Sequence, residues 1–235
     1  MNASSAHSLI FAQGLTRIYP LGATSVVGVQ DIDLTISDGE MVVLKGNSGS
    51  GKSTLLALLG GLDLPTRGRL VVAGQNLQKA TPKELNVYRR KVVGMIFQSF
   101  NLLPTLTVVE NVCLPALLAG RPYPEVTDRA LEWLDWLNLS NRLNHYPTQL
   151  SGGEMQRTAI VRALINEPSI ILADEPTGNL DSKNGQAVIE LLSELNHKFN
   201  TTVIIATHSA LADPYATLRI WLKDGRITET GACNA

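Results

Sequence analysis

Apolar residues fall in short runs along this chain, and the spacing of the runs changes from one stretch to the next. Leu9–Leu15 and Val26–Ile36 read as strand-rich segments separated by a Pro-Leu-Gly turn at 20–22. Met41–Leu44, Leu70–Ala73, Val92–Phe97, Ile170–Ala173 and Val203–Ala206 are apolar runs of buried-strand length. Elsewhere the period lengthens to that of a helix. Leu55–Leu59 is an apolar helix behind a glycine-rich loop. Thr81-Pro82 opens another, with Pro at the first helical position and Glu84 three residues after Thr81. Gly152–Ile165 is a third. Ser182–Phe199 is a fourth, with Val188, Leu191, Leu192, Leu195 and Phe199 on one stripe. Leu218–Leu222, a Lys-Asp-Gly turn and Arg226–Thr228 predict a hairpin. Strands alternating with helices imply an α/β fold with a mostly parallel sheet and right-handed crossovers.

The segment from about Gln98 to Leu150 differs. It is leucine-rich and has few strand-like runs. Thr107-Val108-Val109-Glu110 is a capping-box pattern, and Pro115 is expected to bend or end the helix it opens. Glu125–Leu137 predicts a second helix with Val126, Ala130, Trp133, Leu134 and Leu137 on one face. Most apolar side chains of 99–115, which include Phe100, Leu102, Leu103, Leu106 and Val109, are expected in the core, and some are expected to line a groove that receives a short helix of a partner. The expected organisation is a loose tail at 1–8 and one domain at 9–235. Its α/β core covers about 9–97 and 155–235, and an inserted helical subdomain covers about 98–154.

Composition narrows the function. The 235 residues are 44% hydrophobic and 17% charged, which excludes a disordered chain and suffices for a sizeable core. Twenty basic against 21 acidic residues give a net charge of -1, so bulk positive charge does not mark a nucleic-acid binder. Cys113 and Cys233 form neither a metal cluster nor a disulfide framework. No window reaches the roughly 18 apolar residues of a membrane helix, and the polar N-terminus does not read as a signal peptide. The expectation is a soluble protein whose membrane role, if any, comes through a partner.

The chemistry lies in three strings. Gly46-Asn47-Ser48-Gly49-Ser50-Gly51-Lys52-Ser53-Thr54 fits a phosphate-binding loop between a strand and a helix. Its glycines let backbone N–H groups point at phosphate oxygens, and the helix adds its positive end. Lys52 can reach the β- and γ-phosphates, and the Ser53 hydroxyl can ligate Mg²⁺. Ile170–Ala173 runs into Asp174 and Glu175 at the carboxyl end of a strand, where ligands of open α/β sheets bind. Asp174 would hold Mg²⁺, directly or through water, and Glu175 would polarise the attacking water. Leu150-Ser151-Gly152-Gly153-Glu154-Met155-Gln156-Arg157 precedes a helix; Ser151 is either an ordinary N-cap or part of a second anion site.

Together, and in this order, these strings resemble the ATP-binding-cassette ATPases, the nucleotide-binding subunits of transporters, over about residues 9–230. The resemblance implies a P-loop NTPase core with an antiparallel β subdomain at its N-terminal side, ATP and Mg²⁺ as ligands, and ATP hydrolysis. It places Tyr19 on the adenine ring, Gln98 at Mg²⁺ and the γ-phosphate, and His208 on the γ-phosphate. It places Ser151, Gly152 and Gly153 on ATP held by an opposite subunit. Asp181 becomes the link between the two sites, while as an isolated residue it reads as a helix N-cap. Asn47, Met155 and Ser209 replace residues common in the family, respectively Pro, Gln and an acid. The implied partners are a transmembrane permease subunit and a second copy of the chain, or a related ATPase subunit, joined head to tail at the cytoplasmic face of the cell membrane. Phe97–Leu106 and Glu175–Asp181 resemble the lipoprotein-release and macrolide-efflux branch, implying export, extraction or periplasmic force transmission. The implied subunit does not bind nucleic acid: the long coiled coils and zinc-binding cysteines of the DNA-repair cassettes have no counterpart here.

Overall fold

A computed structural model describes residues 8–22 and 24–233. Ten strands and six α-helices are described. β1 (Ser8–Leu21), β2 (Thr24–Ser37), β4 (Arg67–Val72) and β5 (Gln75–Asn76) form a small antiparallel sheet in the order β2-β1-β4-β5. The main sheet has the order β10-β9-β3-β8-β7-β6, built from β3 (Met41–Lys45), β6 (Val93–Phe97), β7 (Ile170–Asp174), β8 (Thr202–Ala206), β9 (Leu218–Lys223) and β10 (Arg226–Ala232). All neighbours in it are parallel except the β9–β10 hairpin.

The apolar runs of the main sheet serve two cores at once, because successive strand residues point to opposite faces. Val42, Leu44, Leu172 and Ile204 face the antiparallel sheet and α1 (Lys52–Leu59), where they meet Ile10, Leu15, Val29, Leu55 and Leu58. Val43, Ile96, Ile171 and Ile205 face the other way. There they meet a helical layer of α3 (Val108–Leu118), α4 (Tyr123–Trp136), α5 (Gly152–Leu164) and α6 (Ser182–Phe199). α2 (Pro82–Lys91) covers the first face through Leu85 and Tyr88, both buried. Among the described residues no helix is long and apolar enough to cross a membrane.

Several expectations are corrected. The turn at 20–22 is shorter, since β1 runs through Pro20 to Leu21 and pairs with β2 to its end. Proline is tolerated there because β4 stops pairing with β1 at Thr16, leaving that side an open edge. Pro115 does not end α3: the helix continues to Leu118, supported by good helix formers and by buried Ala116. Of the apolar residues in 99–115, Phe100, Leu102, Leu106 and Val109 are only half-buried, and Leu103 is 45% exposed. Phe199 leaves the core stripe of α6 and is 46% exposed. It packs on Trp133 and Trp136 instead, with centroids 5.3 and 6.4 Å away. The tail expected at 1–8 lies outside the described residues except Ser8, which begins β1.

Candidate active site

β3 ends at Lys45 and the chain turns at once into the phosphate loop. Gly46 has φ +150°, and a Cβ there would stand 2.4 Å from the Leu222 carbonyl oxygen. Gly51 has φ +102°, and its Cβ would stand 2.5 Å from the Gly28 carbonyl oxygen. Both positions need glycine because neighbouring backbone leaves no room. Gly51 is also the N-cap of α1, with no side-chain cap and no acid in the first turn. The end of this helix is therefore left open to an anion. Lys52 is buried, its ammonium donating to the carbonyls of Gly46 at 2.7 Å and Asn47 at 3.2 Å.

The neighbouring strands deliver the acids. β7 and β8 are parallel with Asp174 opposite Ala206, so the residues that follow leave the sheet side by side. The Glu175 N–H donates to the Ala206 carbonyl at 2.8 Å, and Glu175 takes φ +46°. Its Oε2 accepts from Thr207 Oγ1 at 3.0 Å. Its Oε1 lies 3.0 Å from His208 Nδ1 and 4.0 Å from Lys52 Nζ. Thr207, fully buried, was not singled out from the sequence. Its signal is its place directly after β8, opposite the Glu175 that follows β7.

These groups share one cleft of about 720 Å³. Residues 47–54 form its floor, and Gln98, Asp174, Glu175 and His208 one wall. Tyr19, Val26, Val27 and Gly28 form another. The Tyr19 hydroxyl donates to Asp63 at 2.8 Å, and the Arg17 guanidinium lies 4.6 Å from its ring centroid. Val26 and Val27, 50% and 43% exposed, are cleft residues that strand periodicity alone does not reveal. Gln98 is anchored through its carbonyl, which accepts from Asn179 Nδ2 at 2.9 Å. The Ser53 hydroxyl, the Asp174 carboxylate and the Gln98 amide give the cleft three hard oxygen donors, a set that fits Mg²⁺. Among the described residues no group of three His, Cys, Asp or Glu side chains gathers, so such an ion would share its shell with phosphate oxygens and water.

The remaining predicted residues lie elsewhere. Ser151, Gly152, Gly153 and Asp181 do not line the cleft; they form a second locus where α5 and α6 begin. Leu180 and Asn184 press against Gly152 and Gly153. Ser151 caps α5: its Oγ accepts from the Glu154 N–H at 3.3 Å, while its own N–H donates to Glu154 Oε2 at 2.8 Å. That N–H, aided by Arg142 at 2.7 Å, holds the Glu154 carboxyl down to about 2 despite partial desolvation. Asp181 caps α6 by accepting from Asn184 N–H at 2.9 Å, which lowers its carboxyl as well.

The chain is similar to known proteins along most of its length. Residues 29–178 match the family described as ABC transporter. The chain is 48% identical over 220 residues to the macrolide export ATP-binding/permease protein MacB of Rhodopseudomonas palustris, covering 94% of this chain and 34% of that protein. It is 42% identical over 219 residues to the lipoprotein-releasing system ATP-binding protein LolD of Bacteroides fragilis, covering 93% and 100%. A dimeric post-hydrolysis structure of the ATP-binding cassette MJ0796 with ADP and Pi superposes with a TM-score of 0.89 at 39% identity, covering 96% and 99%.

Proposed function

This chain belongs to the ABC transporter family as an ATP-hydrolysing, nucleotide-binding subunit, and we propose a division of labour among its residues. The observation that carries it is the single cleft in which Tyr19, residues 47–54, Gln98, Asp174, Glu175 and His208 converge. Tyr19 stacks on the base. The open end of α1 and the loop N–H groups hold the phosphates, with Lys52 between them. Lys52 and His208 both lie beside Glu175. A γ-phosphate offers both a more negative partner and leaves the carboxylate to face the attacking water.

Glu175, steadied by Thr207, takes a proton from that water as its oxygen bonds to the γ-phosphorus. The bond from phosphorus to the bridging oxygen breaks, and its electron pair leaves with ADP. His208 and Lys52 stabilise charge on the transferring group. Ser53, Asp174 and Gln98 would hold Mg²⁺, which when bound neutralises charge on the β- and γ-oxygens.

Ser151, Gly152 and Gly153 complete the site of a second copy docked head to tail, and Asp181 lies between the two sites. The cytoplasmic face of the membrane is the place of action. A groove of about 350 Å³ between α2, β6 and α3, lined by Arg90, Phe97, Leu114, Leu118 and Arg162, receives a short helix of the permease. Asn101, Leu114 and Pro115 of the segment 99–115 line it, which supports a coupling role for that segment. The names of the MacB and LolD relatives support export or extraction as the work performed. The test is Glu175→Gln. ATP binding is retained and hydrolysis falls by about 10²–10⁴, the range for a positioned base. Turnover near the parent rate removes Glu175 from that role.

A further inference from the structure

Lys45 is the last residue of β3 and precedes the phosphate loop by one position. Its side chain is only 12% exposed and reaches across the strand ends to the loop after β8. Its ammonium donates to the Ser209 carbonyl at 2.5 Å and pairs with Asp213 Oδ1 at 2.6 Å. Asp213 is held in turn, because Arg219 Nη2 donates to its carbonyl at 2.8 Å. The Ser209 N–H donates to Thr207 Oγ1 at 3.0 Å, the same hydroxyl that donates to Glu175. Both peptide units that follow His208 are therefore fixed, the first through the Thr207 hydroxyl and the second through Lys45.

From this geometry we infer that Lys45 is a positioning residue for hydrolysis, bolting the start of the phosphate loop to the loop that carries His208. The histidine itself has an exposed side chain and, within the chain, touches Glu175. Its position is set by its backbone, and the charge-assisted bond from Lys45 is the strong fixed point on its C-terminal side. A neutral apolar residue at 45 would leave the Ser209 carbonyl and the Asp213 carboxylate without their cation. The loop would then sample positions in which His208 misses the γ-phosphate. ATP would still bind through residues 47–54, which Lys45 does not touch.

The inference rests on the reading of His208 given above, and the experiment separates the two. Steady-state ATP hydrolysis is measured on the full chain for Lys45→Met, Lys45→Arg, Asp213→Asn, His208→Ala and the pair Lys45→Met/His208→Ala. Lys45→Met is expected to lower kcat about tenfold, a scale set by small misplacements of reacting groups, with KM for ATP unchanged. Lys45→Arg restores most of the rate, and Asp213→Asn shifts kcat in the same direction as Lys45→Met. In the His208→Ala chain, Lys45→Met has no further effect, because coupled residues are not additive. Should Lys45→Met fail to fold, Asp213→Asn and Lys45→Arg carry the comparison. If His208→Ala leaves kcat intact, the reading of His208 fails and this inference with it. If His208→Ala lowers kcat but Lys45→Met does not, or if Lys45→Met raises KM and lowers the thermal midpoint together, the inference alone is overturned.

Discussion

Two helix ends in this molecule are made of similar residues and are opposite in character. α1 begins at a left-handed glycine, with no side-chain cap and no acid in its first turn. α5 begins at Ser151, with a complete capping box and a carboxylate, Glu154, folded back over the end. Glycine and serine stand before α1 and at the start of α5, so both ends could hold an anion. Only α1 is open to one. The α5 end already contains its own anion, pinned by Arg142 and by the Ser151 N–H. The first end is uncapped and free to take phosphate by itself. The second is satisfied in the single chain, and under the proposed reading it acts on ATP only when another copy presents it.

The comparison breaks most visibly at Lys52. Lys52→Ala removes the cation at the α1 end, and ATP affinity of the isolated chain is expected to fall roughly 10- to 100-fold, the scale of one or two charge-assisted hydrogen bonds. Equilibrium binding of a fluorescent ATP analogue measures this, and unchanged affinity would place the phosphates elsewhere. Ser151→Ala acts at the other end. It is expected to cost about 1 kcal/mol of stability through the lost cap, a drop of about 2–4 °C in thermal midpoint. ATP affinity of the isolated chain stays at the parent value; a loss matching that of Lys52→Ala would erase the distinction between the two ends. The smallest effect is a change of pH dependence. Glu154 titrates at about 2 when folded and in the ordinary carboxylate range, near 4.3, when unfolded. Its contribution to stability is thus full above about pH 4.3 and is lost as pH falls through about 2. Glu154→Gln is expected to flatten acid unfolding in that window, as followed by circular dichroism, and to leave the curve above pH 5 parallel to the parent's.

The strands and helices were legible because their apolar runs are short, dense and bounded by glycine, proline or capping residues. Their order in the sheet was not, since nothing in Met41–Leu44 says that β8 and β9 will flank it. Phe100, Leu102, Leu103, Leu106, Val109 and Phe199 are less buried than their composition predicts. Apolar composition predicts burial, yet the helical layer does not close over the first five, and Phe199 turns to an aromatic cluster with Trp133 and Trp136. At the site, residues 47–54 and the acids at the end of β7 could be read from fixed spacing, and they line one cleft. Thr207 and Lys45 could not be, because a threonine or a lysine beside a strand end has no spacing to recognise. Their significance appears only when parallel pairing brings Asp174 level with Ala206 and the ends of β3 and β8 together.

The phosphate loop is held by parts of the chain far from it in sequence. β3 pairs with β8 and with β9, Gly46 is backed by Leu222, and the Gly225 N–H donates to the Ser50 carbonyl at 3.0 Å. During synthesis, then, the loop emerges from the ribosome some 170 residues ahead of the neighbours that shape it. Until the β9–β10 hairpin is made, β3 has no partner on that side. Such long-range closure is slow relative to local helix formation. The loop therefore takes its described shape only once β9 and the turn at 224–225 have joined the sheet.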